Sequence, residues 1–292
     1  MAHHRLNVVG CGRLGQALTR LIVESRLAQE VHLCNRSEES GDRAVQAIGS
    51  GTAYTTVSAL PSSGLWLIGC GDQVMEEVAE RIADEGALLP DAVVFHCSGF
   101  LSSEVLRAVK KKGAHIASVH PVRSFANLDM SIADFPGTFC GIEGEAHAQE
   151  VVRELFTKLG GIVFPLSKEG KVLCHAGHVF ASNYLVSLLE CAHRLYGAAG
   201  IPEELSWRLM EPLVRGTVEN VMRLGPSNAL TGPIARGESG VVELQARTVA
   251  QRDALLGEIY ARLGLAAVDI ARAQGLSDER CESVRYALSE ER

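Results

Sequence analysis

The sequence predicts an α/β protein, with a doubly wound, mostly parallel sheet over residues 1–166 followed by an all-α domain over 167–292. Three observations predict it. Strand-like and helix-like segments alternate from the N-terminus to Leu166, and then the strands stop. Several strands, "LWLIGC" and "AVVFHC" among them, are apolar on both alternating faces, as strands covered by helices on both sides must be. The first strand also runs straight into three glycines spaced G-x-G-x-x-G: Gly10, Gly12 and Gly15.

Taken in order, the strands fall at 6–10, 31–35, 54–57, 65–70, 92–98, 115–120, 138–142 and 162–166. Amphipathic helical stretches separate most of them, at 13–26, 38–48, 72–85, 102–112 and 146–159. Residues 168–198 then read as one long helix, ended by Gly200-Ile201-Pro202. Further helices follow at 203–223, 239–249, 251–274 and 277–288. The segment "GPSNALTGPIARGESG", 225–240, interrupts them with prolines and glycines. A loop of that length in a compact domain is usually functional or floppy.

The totals bound what such a chain does. With 292 residues, 47% of them hydrophobic, it can fill two cores. A net charge of −7 argues against a nucleic-acid partner, because phosphate contacts need a basic face. The run Lys110-Lys111-Lys112 ends a helix, where lysines cap the last carbonyls. The eight cysteines form no C-x-x-C, and most sit in apolar runs, as buried thiols of a reducing compartment do. With no signal-peptide pattern and no apolar span near 20 residues, the expectation is a soluble, cytoplasmic protein with no membrane partner.

The glycine turn carries the first functional signal. Gly10 permits the tight turn, Gly12 lets backbone approach a pyrophosphate, and Gly15 lets the helix pack close to the sheet. The stretch Gly10-Cys11-Gly12-Arg13-Leu14-Gly15 would cradle the phosphates at a helix N-terminus. An NAD site usually places an acid about 20 residues further on. Here that position holds Asn35, followed by Arg36 and Ser37. A guanidinium suits a 2′-phosphate, and one charge-assisted hydrogen bond contributes roughly 1.5–3 kcal/mol. NADP is therefore expected over NAD; the plain alternative for Arg36 is a surface arginine in a turn. Two more strand ends should line the cofactor: Gly69, Cys70 and Gly71 in "IGCGDQ", and Cys97 and Gly99 in "HCSG".

Histidines supply the second signal. His120-Pro121 ends one strand, and His96 lies beside Ser98 at the end of another. His175 and His178 lie one turn apart on the long helix, with Asn183 eight residues after His175 on nearly the same face. Imidazole suits general acid–base work near neutral pH. His115 and His193 read as structural or surface residues. Cys174, His175 and His178 form C-H-x-x-H without a fourth ligand nearby, so no metal ligand is expected.

The segments "VVGCGRLG", "FHCSG", "SVHPVRSF", "KVLCHAGHVFASNYLVSL" and "ALTGPIARG" together carry a family resemblance. The N-terminal half resembles the dinucleotide-binding domain of the 6-phosphogluconate-dehydrogenase-like superfamily. That group includes pyrroline-5-carboxylate reductase, ketopantoate reductase, prephenate dehydrogenase and the F420-dependent NADP reductases. More closely, the chain resembles bacterial Rossmann-like candidate NADP oxidoreductases with a C-terminal helical domain of unknown function. The resemblance implies an active site between the two domains and a homodimer built on the C-terminal helices. His120-Pro121 matches the catalytic histidine-proline of prephenate dehydrogenases, though the glycine expected soon after is replaced in "HPVRSF". The Lys-x-x-x-Asn pattern of the hydroxyacid dehydrogenases is missing, and His175 occupies the analogous region.

The expectation is an NADP-dependent oxidoreductase acting on a small anionic metabolite, a 2-oxoacid such as ketopantoate or an imine. His120 or His175 would supply the proton, and Asn183 and Ser98 would orient the substrate. Arg123 and Arg236 are candidates for a carboxylate clamp. Two alternatives stand beside it: a non-catalytic NADP-binding sensor or interaction protein, and an F420-linked NADP reductase.

Overall fold

The computed structural model describes residues 3–289 apart from 124 and 126. They form two compact units, 1–180 and 181–292. The first unit alternates as follows: β1 (His3–Val9), α1 (Arg13–Glu24), β2 (Ala28–Cys34), α2 (Glu38–Ile48), β3 (Thr52–Tyr54), β4 (Ser63–Ile68), α3 (Met75–Glu85), β5 (Leu88–His96), α4 (Arg107–Lys111) and β6 (His115–Pro121). It continues with α5 (Leu128–Ala133), β7 (Phe139–Gly144), α6 (Ala146–Lys158), β8 (Ile162–Pro165) and α7 (Gly170–Ala181).

The eight strands make one sheet in the order β3-β2-β1-β4-β5-β6-β7-β8. Neighbours from β3 to β6 pair in parallel, β7 runs antiparallel to β6, and β8 is parallel to β7. The mostly parallel, doubly wound sheet read from the sequence is what forms. Strand order reverses between β1 and β4, and in open α/β sheets a ligand crevice opens there, at the carboxyl ends of the strands.

Period-two alternation explains why both faces are apolar. Val8, Leu65, Leu67, Val93, Phe95, Ala117 and Val119 point to one face and pack with Leu18, Ile22, Val152 and Phe156 of α1 and α6. Val9, Trp66, Ile68, Val94 and Ile116 point to the other and pack with Met75, Ala79 and Ile82 of α3. Phe95 and Phe156 meet edge to face, ring centroids 6.3 Å apart. Such a pair contributes about 0.5–1.5 kcal/mol beyond its buried area.

Four features differ from the sequence expectation. The short helix α5 is new, and Asn127 caps it by accepting from the Met130 N–H. The first unit also extends past 166 to Phe180, taking in nearly all of α7, where Lys171 is fixed to the loop after β5 and to Ser118 within β6. The long helix over 168–198 breaks at Ser182 (φ −126°, ψ −69°), whose hydroxyl donates to Asn183 Oδ1 at 3.0 Å. The span Gly170–Ala198 is, by length and composition alone, long and apolar enough to cross a membrane, contrary to the expectation that no such span exists.

The second unit is helical: α8 (Asn183–Ala198), α9 (Glu203–Leu224), α10 (Pro226–Ala229), α11 (Ser239–Arg252), α12 (Ala254–Ala273) and α13 (Asp278–Leu288). Its core joins α11, α12 and α13 through Val242, Ala246, Val268, Cys281, Val284 and Leu288. Gly264 admits Leu288, whose Cδ1 would lie 2.8 Å from any added Cβ. Large apolar side chains stay exposed elsewhere in this unit, including Val186, Leu213 and Met222.

Candidate active site

The glycine turn separates what the fold requires from what it leaves open. Gly10 has φ +80°, and a Cβ there would lie 2.8 Å from Cys70 Cβ. A Cβ on Gly69 would lie 2.6 Å from the Gly10 carbonyl. These glycines let the β1 and β4 ends pack together. Gly12 is different. Its φ of −78° suits any residue, and an added Cβ would meet only the Gly69 carbonyl, at 3.7 Å. Gly71, at φ −67°, has nothing within 4 Å of the same position. The fold needs no glycine at 12 or 71; the space beside them is what glycine preserves.

The start of α1 is equally open. Gly12 is its N-cap, no side chain caps it, and its first turn holds no acid. The free N–H groups and partial positive charge of such an end suit a phosphate. By contrast α2 begins with Glu38 and Glu39, capped by Ser37. Gly15 lies against the Gly10 carbonyl and Cys11 Sγ, at 3.5 and 3.6 Å from an added Cβ, so α1 sits close to the turn. Arg13 is exposed and Leu14 packs on the core.

Asn35 acts as a strut. Its Oδ1 accepts from the Cys11 N–H at 2.9 Å and its Nδ2 donates to the Ser40 carbonyl at 3.0 Å. It therefore ties the glycine turn to α2. Arg36 and Ser37 are exposed beyond β2. The Ser37 hydroxyl accepts from the Ser40 N–H and bonds its hydroxyl, so Ser37 also closes the helix. The thiols nearby are core groups. Burial pushes Cys11 up to about 12, Cys70 up to about 11 and Cys97 higher still, so all three stay protonated. Cys97 reaches a ligand only through its backbone.

The β5 end carries a locked loop. His96 is fully buried; its Nδ1 accepts from the Ser98 N–H at 3.1 Å and its Nε2–H faces the Ser102 carbonyl at 3.2 Å. Both nitrogens are satisfied only in the neutral ring. Burial, then the charge of Lys171, pushes its pKa down to about 3. Ser98 was expected to orient substrate, but its hydroxyl is spent within the protein. It donates to Asp72 Oδ2 and accepts from the Phe100 and Leu101 N–H groups.

Three histidines converge above this loop. His120 Nδ1 donates to the Cys97 carbonyl at 3.3 Å, which leaves Nε2 as the bare nitrogen. Ring centroids lie 6.0 Å from His120 to His175 and 5.5 Å from His120 to His178. One donor atom from each lies within 4.8 Å of the others. Gly99 is their floor: a Cβ there would lie 2.6 Å from His175 Nδ1 and 2.9 Å from His120 Nε2. Burial pushes His120 down to about 4 and lowers His178 as well.

Lys171 positions α7 beneath them. It is fully buried, and its Nζ donates to the Ser98 carbonyl at 3.0 Å and to Ser118 Oγ at 2.7 Å. Burial lowers its pKa, and the nearby Glu143 opposes that shift. Sequence reasoning passed over Lys171 because no asparagine stood four residues on. The spacing itself was the signal, since Lys171 and His175 are i, i+4 and share a helix face.

Other expected residues have settings of their own. Asn183 stands exposed at the start of α8, just after the break at Ser182. Arg236 forms a two-pronged pair with Glu238, at 2.7 and 2.9 Å, rather than a free clamp. Arg123 is tied to Asp134 and Thr138.

Comparison with known proteins fits this geometry. A family model for a Rossmann-like domain matches residues 1–121, and one for a domain of unknown function, DUF2520, matches 138–267. No curated protein matches the chain. Among solved structures, protein TM1727 from Thermotoga maritima is 26% identical, with a TM-score of 0.71 over 93% of this chain and 100% of that one. A candidate NADP oxidoreductase from Bacteroides fragilis is 20% identical, with a TM-score of 0.73 over 91% and 98%. A Plasmodium falciparum pyrroline carboxylate reductase with NADP bound shares the fold at 14% identity and a TM-score of 0.55, over 99% and 100%. The chain thus matches a Rossmann-like model over its first part and the DUF2520 model over most of the rest, and it shares its fold with the Thermotoga and Bacteroides neighbours.

Proposed function

We propose that this protein is an NADP-dependent oxidoreductase acting on a small anionic carbonyl or imine compound, with a 2-oxoacid such as ketopantoate as the leading substrate class. The observation that carries the reading is Gly12. Neither its backbone angles nor its neighbours require glycine, yet it opens an uncapped, acid-free helix start. A pyrophosphate is the ligand such an opening fits. Gly71 leaves matching space at the β4 end. Arg36, exposed where an NAD site would hold an acid, is the group for a 2′-phosphate. The named functions of the Bacteroides and Plasmodium neighbours point the same way.

When bound, NADPH supplies the hydride. The chain's own residues do the rest. Gly99 keeps the floor of the histidine cluster flat, and His96 holds the loop that carries it. Lys171 fixes α7 so that His175 and His178 face His120. The substrate's reacting oxygen or nitrogen binds at this cluster, and there it takes up a proton drawn from solvent, which balances hydride addition to carbon.

The test is NADPH oxidation by purified protein with a panel of 2-oxoacids and cyclic imines. At least one should be reduced, and His120→Asn should cut its turnover by roughly 10²–10⁴-fold, the usual share of acid–base catalysis. Turnover unaffected in that variant would remove the cluster from the reaction.

A further inference from the structure

The three histidines are arranged as a donor set as well as a substrate contact. His120 Nε2 is the bare nitrogen, because its other nitrogen donates to a carbonyl that can only accept. His175 Nδ1 and His178 Nδ1 are buried and have no hydrogen-bond partner. Buried polar atoms left unpaired are costly, so these two call for a partner. On His178 the other nitrogen, Nε2, lies 3.7 Å from Cys174 Sγ. In the tautomer with hydrogen on Nε2, that contact leaves Nδ1 bare too. So one ring nitrogen from each histidine lies within 4.8 Å of the others, with His175 Nδ1 and His120 Nε2 against Gly99, and no carboxylate joins the group among the described residues. Three imidazolium cations could not share that space; three neutral rings can, and neutral imidazole is the ligand form.

We propose that His120, His175 and His178 bind one divalent transition-metal ion, with zinc the best match, through three imidazole nitrogens and a fourth position left open. Imidazole sets suit zinc, iron, copper and nickel rather than magnesium or calcium, which demand oxygen. Three protein ligands with one open position is the arrangement of catalytic zinc rather than structural zinc. Tetrahedral ligands at zinc stand about 3.3 Å apart. The donor atoms, all within 4.8 Å of one another, reach that by small side-chain rotations. The Cys97 carbonyl on His120 and the Cys174 sulfur on His178 are the outer partners that fix ligand tautomers in metal sites. The ion's use in the reaction rests on the proposed function: its open position would take the substrate oxygen and polarise the bond that accepts hydride. The binding site itself does not depend on that reading.

The experiment uses the full chain, stripped with a chelator and desalted. Zinc is titrated in competition with a chromophoric chelator, and cobalt(II) replaces it for a visible spectrum of tetrahedral character. NADPH affinity is measured on the same samples. One ion per chain is expected. His175→Ala/His178→Ala should bind zinc at least about 100-fold more weakly, beyond the 10- to 100-fold cost of losing an outer partner. Its NADPH affinity should be unchanged, which shows that it is folded. Gly99→Ala should also weaken zinc, because the methyl occupies the space between the donors. Less than one ion per chain at micromolar protein would overturn the proposal. So would wild-type zinc affinity in the double variant, which would put the ion on thiols elsewhere. NADPH binding without zinc binding sinks the metal site and leaves the oxidoreductase reading. Zinc binding without NADPH binding does the reverse.

Discussion

His96 gives the sharpest stability prediction. In the folded unit its ring is neutral, hydrogen bonded at both nitrogens and pushed down to about 3. In the unfolded chain it takes a proton near pH 6.5. The unfolded state therefore binds more protons between those values, and the folded state loses stability as the pH falls from about 7 toward 3. Each pH step below 6.5 costs about 1.4 kcal/mol. From pH 7.0 to 4.5 the loss from this residue comes to about 2.5 kcal/mol. The assay is chemical denaturation at both pH values, followed by the fluorescence of Trp66. That side chain is fully buried in β4 and so reports on the first unit. A Trp207→Phe background silences the other tryptophan. His96→Gln lowers stability at both pH values, but its loss between pH 7.0 and 4.5 should be smaller than the parent's by about 2.5 kcal/mol. An equal loss in the two proteins would show that His96 does not hold the β5 loop as a neutral ring.

The remaining predictions concern the site and the assembly. Gly12→Val should fold, by circular dichroism, and fail to bind NADPH, because its branched side chain enters the space that Gly12 leaves open; undiminished binding would move the phosphates elsewhere. Lys171→Met should cut kcat by at least about tenfold while KM for NADPH stays fixed, since it frees α7 without touching the glycine turn; a raised KM with unchanged kcat would contradict a positioning role. The exposed Val186, Leu213 and Met222 need a covering partner, and a second copy is the one we expect. Light scattering should give about twice the monomer mass of 31.3 kDa, and the monomer mass at micromolar concentration would refute it.

Most of the fold was legible because its signals are local. Strands buried on both faces read as apolar runs, and Val8 and Val9 or Leu65 and Trp66 do alternate between two cores. What escaped was set by contacts far apart in sequence. The reversal at β7 follows from its pairing with β6, which no periodicity encodes. α5 is too short to show a repeat, and only its Asn127 cap marked it. In the site, the glycine spacing marked the turn, whereas the roles of Ser98 and Lys171 depended on partners 26 and 73 residues away. A serine at a strand end looks free until Asp72 is found against it. A lysine in an apolar helix looks exposed until Ser98 and Ser118 are found around its ammonium group. The C-H-x-x-H pattern lacked a further ligand in sequence, and β6 brings His120 to it in space.

The most direct measurement of the account is a pair of fluorescence titrations, NADPH and NADH, on the wild type and on Arg36→Ala. One charge-assisted bond to the 2′-phosphate is worth roughly 1.5–3 kcal/mol, or about 10- to 150-fold in affinity. The wild type should therefore bind NADPH at least about tenfold more tightly than NADH, and Arg36→Ala should lose that preference while keeping its NADH affinity. Equal affinities in the wild type, or a preference untouched by the substitution, would contradict an NADP site at the end of β2.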